Sequence, residues 1–516
     1  MDREDDIMDN YDLVVTKKDD VLVHIEASRG IARELTDYFA FQVPGYMFMK
    51  AYKEKRWDGK IRLFSMYAAT LYAGLVDYVR VFAEDRSYAI HVDPSAALSG
   101  GFAFSSKQVR AYIDDGLSPT HNGEKITSFP HQVDTVQHCL NNQRALILSP
   151  TGSGKSLVIY AMCRFLRQDI PDDKKILLVV PNTTLIHQMY SDFEDYSELD
   201  TSYSVEDGCH KIYQGQSKTS DKKVHISTWQ SIFKQTKKFF KEYHAVIVDE
   251  AHGVKAKSLT GILEKLENCP WRFGFTGTLD GMETHRLVIE GLTGPVEKVV
   301  TTKSLMDKDL LSQLKIECLV LQHNKEDCAE TKGTKYHEEM DFLVSHERRN
   351  NFLTNLALDC EGNTLVLFRY VDKHGIPLHE LIEKKAGDNR KVFLVHGGVD
   401  ADAREEIRKI VETEADAIIV ASIGTMSTGV NIERLHNIIF ASPTKSQIQV
   451  LQSLGRGLRK ADDKAHVNLF DVADDLTHKS YENFTLKHFM SRLKIYNQEK
   501  FKYRVIPIPM GSENTI

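Results

Sequence analysis

The stretch Arg144-Ala-Leu-Ile-Leu-Ser-Pro-Thr-Gly-Ser-Gly-Lys-Ser-Leu157 decides how this chain of 516 residues is read. Ala145 to Leu148 is a short apolar run, the mark of a buried strand, and Leu157-Val-Ile-Tyr-Ala-Met-Cys-Arg-Phe-Leu166 predicts an apolar-rich helix. Between them Gly152 and Gly154 free the backbone to turn its N–H groups inward at a helix N-terminus. Thr151, Gly152, Ser153, Gly154, Lys155 and Ser156 can then wrap a β-phosphate, with Lys155 reaching the β- and γ-phosphates and the Ser156 hydroxyl placed to ligate Mg²⁺. The full phosphate-loop pattern opens on Gly, where this chain has Ser149. A Gly/Ser turn between a strand and a helix can also be no more than a turn, so the reading depends on its partners.

Downstream the rhythm of strand, loop and helix repeats, which predicts a parallel sheet covered by helices. Ile176-Leu-Leu-Val-Val-Pro-Asn-Thr-Thr-Leu185 is a buried strand that leads into hydroxyls, Thr183 among them, at the C-terminal edge of the sheet. Ile226-Ser-Thr-Trp-Gln-Ser-Ile232 repeats the arrangement with Thr228. Ala245-Val-Ile-Val-Asp-Glu-Ala-His252 ends in two carboxylates: Asp249 is placed to hold Mg²⁺ through water, and Glu250 to orient and deprotonate an attacking water. Such a pair could be a solvated loop, but after a phosphate loop it reads as hydrolytic machinery. At the end of Phe275-Thr-Gly-Thr-Leu279, Thr276 and Thr278 can relay the γ-phosphate state. Upstream, Phe129-Pro-His-Gln-Val-Asp-Thr-Val136 carries Gln132, whose amide can pair with both N6 and N7 of adenine.

A second α/β unit follows residues 295–321. Residues 323–350 are polar and charged and are expected to be partly mobile. Strand patterns resume at Asn363, Lys391 and Ala417, without a second phosphate loop. Gln452-Ser-Leu-Gly-Arg-Gly-Leu-Arg459 places Arg456 and Arg459 at i, i+3, on one helix face. Paired arginines often make surface salt bridges; in a unit without its own cradle they read better as arginine fingers for a γ-phosphate.

Residues 11–115 predict a small α/β domain. Its segment from Tyr46 to Arg62 interleaves Lys50, Lys53, Lys55, Arg56, Lys60 and Arg62 with Tyr52 and Trp57, as a phosphate-tracking surface with a stacking side chain requires. The competing reading is a solvated hairpin around a buried Trp57. Tyr481 to Lys502 predicts an amphipathic helix packed on the second unit. The boundaries drawn are 1–115, 116–305, 306–475 and 476–516.

The composition, 42% hydrophobic and 27% charged, is that of a globular chain with room for about three domains. No apolar run reaches the length of a membrane span, and the acidic leader Met1–Asn10 lacks the pattern of a signal peptide; a cytoplasmic protein is expected. Seven scattered cysteines without a Cys-x-x-Cys pair imply neither a disulfide framework nor a zinc site. The net charge of −7 leaves polyanion binding to local patches.

Over roughly residues 125–475 these features resemble the superfamily 2 helicases and translocases. Ser149 to Ser156 is similar to their first motif, in which Ser or Ala is usual at the leading position. Asp249-Glu-Ala-His252 matches the DEAH form of the second, Thr276-Gly-Thr278 the third, Ser427-Thr-Gly-Val430 with Thr428 the fifth, and Gln452 to Arg459 the sixth. Ser453 stands where many relatives have an additional Arg. With Arg56-Trp-Asp-Gly-Lys-Ile-Arg-Leu63 in a small N-terminal domain, the chain is most similar to UvsW-type recombination-repair helicases of T4-like phages.

That resemblance implies two tandem RecA-like parallel-sheet domains, preceded by a small α/β DNA-binding domain and followed by a C-terminal helical tail. It implies an ATP- and Mg²⁺-dependent 3′-to-5′ motor on junctions, stalled forks and R-loops, with Thr183, Thr228 and Thr428 on the strand in the core and Lys53, Lys55, Arg56 and Trp57 on the duplex. Branched and single-stranded DNA and recombination or single-strand-binding proteins are the expected partners of a monomer in a host cytoplasm. The alternatives are an RNA helicase, because DEAH is shared with RNA-remodelling enzymes, a restriction-complex motor, which would need a nuclease partner, and a non-catalytic junction binder.

Overall fold

A computed structural model describes residues 10–43, 45–97, 100–255, 257–277, 279, 283–308, 310–427, 434–442 and 466–511. The chain divides into two units, Met1–Ser149 with Gly154–Val299, and Pro150–Ser153 with Val300–Ile516.

The first unit begins with a four-stranded sheet in the order Thr70–Tyr72, Leu22–Ala27, Leu13–Lys17, Ile90–Val92. Alternation sends Leu13, Val15, Val23 and Ile25 inward, where Leu35 and Phe39 meet them from one helical segment and Val79 and Phe82 from the helix Val76–Asp85. A separate hairpin pairs Ala40–Gln42 with Lys60–Arg62. This domain is docked on the following sheet domain through backbone as well as side chains. Gly74 lies so close to the Glu290 carbonyl that a methyl group has no room there, and a Cβ on Gly291 would stand 2.7 Å from Tyr72. Tyr72 donates to Glu264 (2.6 Å), Tyr78 to Glu290 (2.7 Å), and the Asp20 N–H to the Glu267 carbonyl (3.0 Å).

The second sheet has seven strands in the order Cys209–Ile212, Val224–Thr228, Lys175–Val180, Tyr243–Asp249, Trp271–Thr276, Arg144–Leu148, Val296–Lys298, with every pair parallel. Its central strands are buried on both faces, which explains why they read as unbroken apolar runs. Ala145, Ile147, Leu178 and Ile247 pack beneath the helices Lys155–Asp169 and Thr183–Tyr196; Leu146, Val179, Val246 and Val248 pack against Lys257–Lys265 and Glu283–Leu292. The register sets Thr276 beside Leu148 and Asp249 beside Phe275, so the chain leaves three neighbouring strands at one edge.

The second unit holds another seven-stranded parallel sheet, ordered Val392–Val395, Ile418–Ser422, Thr364–Phe368, Asn437–Phe440, His466–Asp475, Gln313–Gln322, Tyr503–Pro509. The tail is therefore a helix, Phe484–Gln498, followed by a strand that extends the sheet. Residues 323–350, expected to be mobile, instead form Lys325–Glu330, Tyr336–Ser345 and the start of Glu347–Asp359. The reason is that a few of their charges, Glu339 and Arg349, are buried on partners elsewhere in the unit. Glu339 is fully buried and accepts the N–H groups of Phe484 (2.8 Å) and Thr485 (2.7 Å), capping the tail helix, while Arg492 of that helix is buried on Asp471 (2.7 Å). All seven cysteines are buried and unpaired, and no described helix is long and apolar enough to cross a membrane.

Candidate functional site

The loop after Arg144–Leu148 takes the conformation that its glycines permit: Gly152 has φ +85 and Gly154 φ +79, the left-handed region that a side chain disfavours. Gly154 caps the helix Lys155–Asp169. Ser153 is buried and donates its hydroxyl to the Pro150 carbonyl (2.8 Å).

At the end of Tyr243–Asp249, separated from Arg144–Leu148 by the strand Trp271–Thr276, Glu250 is held at φ +52, a strained position for a residue with a Cβ and of a kind that clusters at functional sites. Lys155 Nζ stands 3.4 Å from Glu250 Oε1, and the Asp249 carboxylate accepts the Glu250 N–H (3.0 Å). Burial pushes the Asp249 carboxyl up to about 6, against the pull of Lys155 and with the Glu250 charge adding to the rise. A desolvated carboxylate of this kind is stabilised by a cation. With the Ser156 hydroxyl, which lies 2.8 Å from Tyr196 OH, it supplies hard oxygen donors suited to a small divalent ion. His252 connects the site to the next strand: its Nδ1 is 3.2 Å from Glu250 Oε2 and 3.1 Å from Thr276 Oγ1. The sequence showed His252 only as a letter of a motif; its bridging position comes from the fold.

Gln132 is buried, and its Oε1 accepts the Phe129 N–H (2.8 Å). A methyl group on Gly154 would overlap the Gln132 amide nitrogen, so the two belong to one surface. Phe129 is 42% exposed beside them, its ring stacked on that of His131 with centroids 5.7 Å apart. The sequence reading passed over it, although an exposed aromatic three residues before a base-reading Gln is a usable signal.

Residues 125–281 match the family described as "Type III restriction enzyme, res subunit", residues 12–93 "DNA helicase UvsW, N-terminal", and residues 348–461 "Helicase conserved C-terminal domain". The chain is 32% identical over 498 residues to the ATP-dependent DNA helicase uvsW of Enterobacteria phage T4, covering 93% of this chain and 96% of that one. The chain belongs to the UvsW family of superfamily 2 helicases. The crystal structure of T4 UvsW agrees in fold, with a TM-score of 0.52 at 32% identity over 96% of this chain and 99% of that one. A fragment of a putative HsdR subunit from Vibrio vulnificus YJ016, 19% identical with a TM-score of 0.56 over 78% of this chain and 72% of its own, shares the fold.

The structure of this helicase brings Lys155, Asp249, Glu250 and Gln132 onto one edge of the first core sheet. Thr183 is exposed at the first turn of its helix. Thr228 is 5% exposed and its hydroxyl is engaged with Ser231 (2.9 Å). Arg456, Arg459 and Thr428 lie outside the described residues. In the N-terminal domain Lys53, Lys55 and Arg56 are exposed and Trp57 is half-buried, its indole N–H donating to the Lys60 carbonyl (2.8 Å). These four, with Met47, Tyr52 and Asp58, line an open pocket of about 570 Å³. Glu54 pairs with both Lys50 (3.7 Å) and Arg56, and Asp58 with Arg62 (2.5 Å), so local carboxylates offset part of the positive charge.

Proposed function

We propose that this helicase uses ATP and Mg²⁺ to remodel branched DNA such as junctions, stalled forks and R-loops, with the N-terminal pocket as the surface that reads the duplex. Lys155 and the loop N–H groups hold the phosphates, and Glu250 orients and deprotonates the attacking water. Ser156 and Asp249 would hold Mg²⁺, which would supply charge neutralisation to the phosphates. Gln132 reads the adenine edge and Phe129 stacks on its face. Arg456 and Arg459 are assigned to the transition-state charge. DNA as the substrate is supported by the kinship with the phage T4 DNA helicase, which extends through the N-terminal domain.

One observation carries the assignment to branched rather than merely single-stranded DNA: an exposed basic and aromatic pocket on a domain docked on the ATP-binding sheet. A motor core needs only one strand, so a second surface of this composition is suited to a duplex arm. The test compares ATP hydrolysis and unwinding with single-stranded DNA, duplex, a four-way junction and RNA. Junction DNA is expected to stimulate most. Replacing Lys53, Lys55 and Arg56 together should make the salt dependence of junction binding shallower, by about 0.9 in log–log slope for each phosphate that is no longer neutralised, with strand-stimulated hydrolysis retained. Stimulation by RNA above every DNA, or an unchanged salt slope, would overturn the reading.

A further inference from the structure

The strand Gln313–Gln322 ends at His323, and the two helical segments beyond it bring Asp327 and His346 to the same point. His323 is the centre of this cluster. Its side chain is fully buried; Nε2 is 3.0 Å from Asp474 Oδ1, while Nδ1 lies 3.5 Å from Asp327 Oδ2 and has no hydrogen-bond partner. His346 Nε2 stands 3.1 Å from the same Asp327 oxygen. The three donor atoms all lie within 4.8 Å of one another.

The tautomer follows from the neighbours. Asp474 is fixed by Arg349, whose Nε lies 2.9 and 3.0 Å from its two oxygens. As a committed acceptor it takes the Nε2–H of His323, which leaves a lone pair on Nδ1. That lone pair faces a carboxylate oxygen, an arrangement that is repulsive in a buried site unless a cation lies between them.

We propose that this cation is a transition metal of the zinc type, bound by His323 Nδ1, Asp327 and His346 Nε2, with water completing the shell. Two imidazoles and one carboxylate suit Zn²⁺ or Co²⁺ and are a poor match for Mg²⁺ or Ca²⁺, which prefer oxygen. The Asp474–His323 bond is the outer-shell contact that orients a ligating imidazole, and Arg349 orients Asp474 in turn. His346 Nδ1 accepts the Arg349 N–H (3.2 Å); a ring that gives Nε2 to a metal carries its proton on Nδ1, so this helix-cap bond is surrendered on binding. The ion joins the end of the sheet to the first residues of two helical segments. It is distinct from the Mg²⁺ that Ser156 and Asp249 would hold.

The test uses the tag-free full chain, stripped with chelator and kept in excess Mg²⁺ so that hard oxygen sites are filled, without nucleotide. Titration with Co²⁺ is expected to give visible d–d bands that saturate at one equivalent, that Zn²⁺ displaces, and that accompany a rise in Tm. The Asp327→Asn and His346→Gln variants should lose the bands. Absence of bands and of any Tm shift in the intact protein overturns the proposal and leaves a proton as the bridging cation. Bands that persist unchanged in both variants overturn it as well, because the ion then sits elsewhere.

Discussion

Replacing Gly154 with Ala tests the geometry of the phosphate loop most directly. At φ +79 a residue with a Cβ costs about 1–2 kcal/mol of backbone strain. The new methyl overlaps the Gln132 amide, whose Oε1 is anchored on the Phe129 N–H at 2.8 Å, so Gln132 must swing away and leave that part-buried donor without its partner, at about a further 1–3 kcal/mol. The sum, about 2–5 kcal/mol, falls on the conformation that grips phosphate. Even its lower end is roughly a 30-fold loss of affinity. Titration with fluorescent ATP and GTP analogues should show this loss together with a collapse of the preference for ATP, and Gln132→Ala should reproduce the second effect without most of the first. If Gly154→Ala binds ATP within about a factor of two of the parent and keeps its base preference, the coupling between cradle and Gln132 is refuted.

Glu250→Gln should bind ATP almost normally and hydrolyse it slowly, whereas Lys155→Ala should lose productive binding; parental turnover by Glu250→Gln under DNA stimulation would remove Glu250 from its assigned role. Asp471→Asn strands the buried Arg492 guanidinium and should destabilise the second unit by about 3–5 kcal/mol, read as a lower denaturation midpoint, while pairing it with Arg492→Met should recover much of the loss. His225 is lowered to about 4 by burial and hydrogen-bonds as the neutral ring, to Tyr243 OH (2.8 Å) and the Ser220 carbonyl (3.2 Å). The unfolded chain takes up this proton near pH 6.5 and the folded one only near 4, so stability should fall as pH is lowered through that window, by about 3 kcal/mol at most. His225→Gln should flatten the curve between those limits, and an unchanged slope would exclude His225 as its source.

The parts of this helicase that were legible in sequence are those whose chemistry is local. A cradle needs its glycines next to its lysine, and a hydrolytic pair needs its two carboxylates at one strand end, so Gly152 to Ser156 and Asp249–Glu250 were visible as short strings. What stayed hidden has partners far along the chain. Polarity pushed residues 323–350 toward the surface because nothing local says that Glu339 will cap a helix beginning beyond Asn483. Arg272 looks like a surface charge, yet it is fully buried and satisfied by the carbonyls of Leu292 (2.6 Å), Leu266 (3.0 Å) and Leu263 (2.7 Å). The strand Tyr503–Pro509 was missed for a different reason: Pro507 and Pro509 argue against a central strand, and an edge position tolerates them. The pairing of Thr228 with Ser231 was hidden too, because strand periodicity locates a hydroxyl along the sheet without naming its neighbour.

That edge strand has a consequence for how the protein is made. Gln313–Gln322, first of its sheet to leave the ribosome, finds its two neighbours only in His466–Asp475 and Tyr503–Pro509, the last two strands to follow. The first core sheet can close while translation continues, but the second must wait with an apolar strand unpaired until residues 466–509 have been made. Pauses in translation after residue 322, or removal of residues 503–509, should therefore expose this half of the molecule to aggregation and proteolysis while the ATP-binding half is already folded.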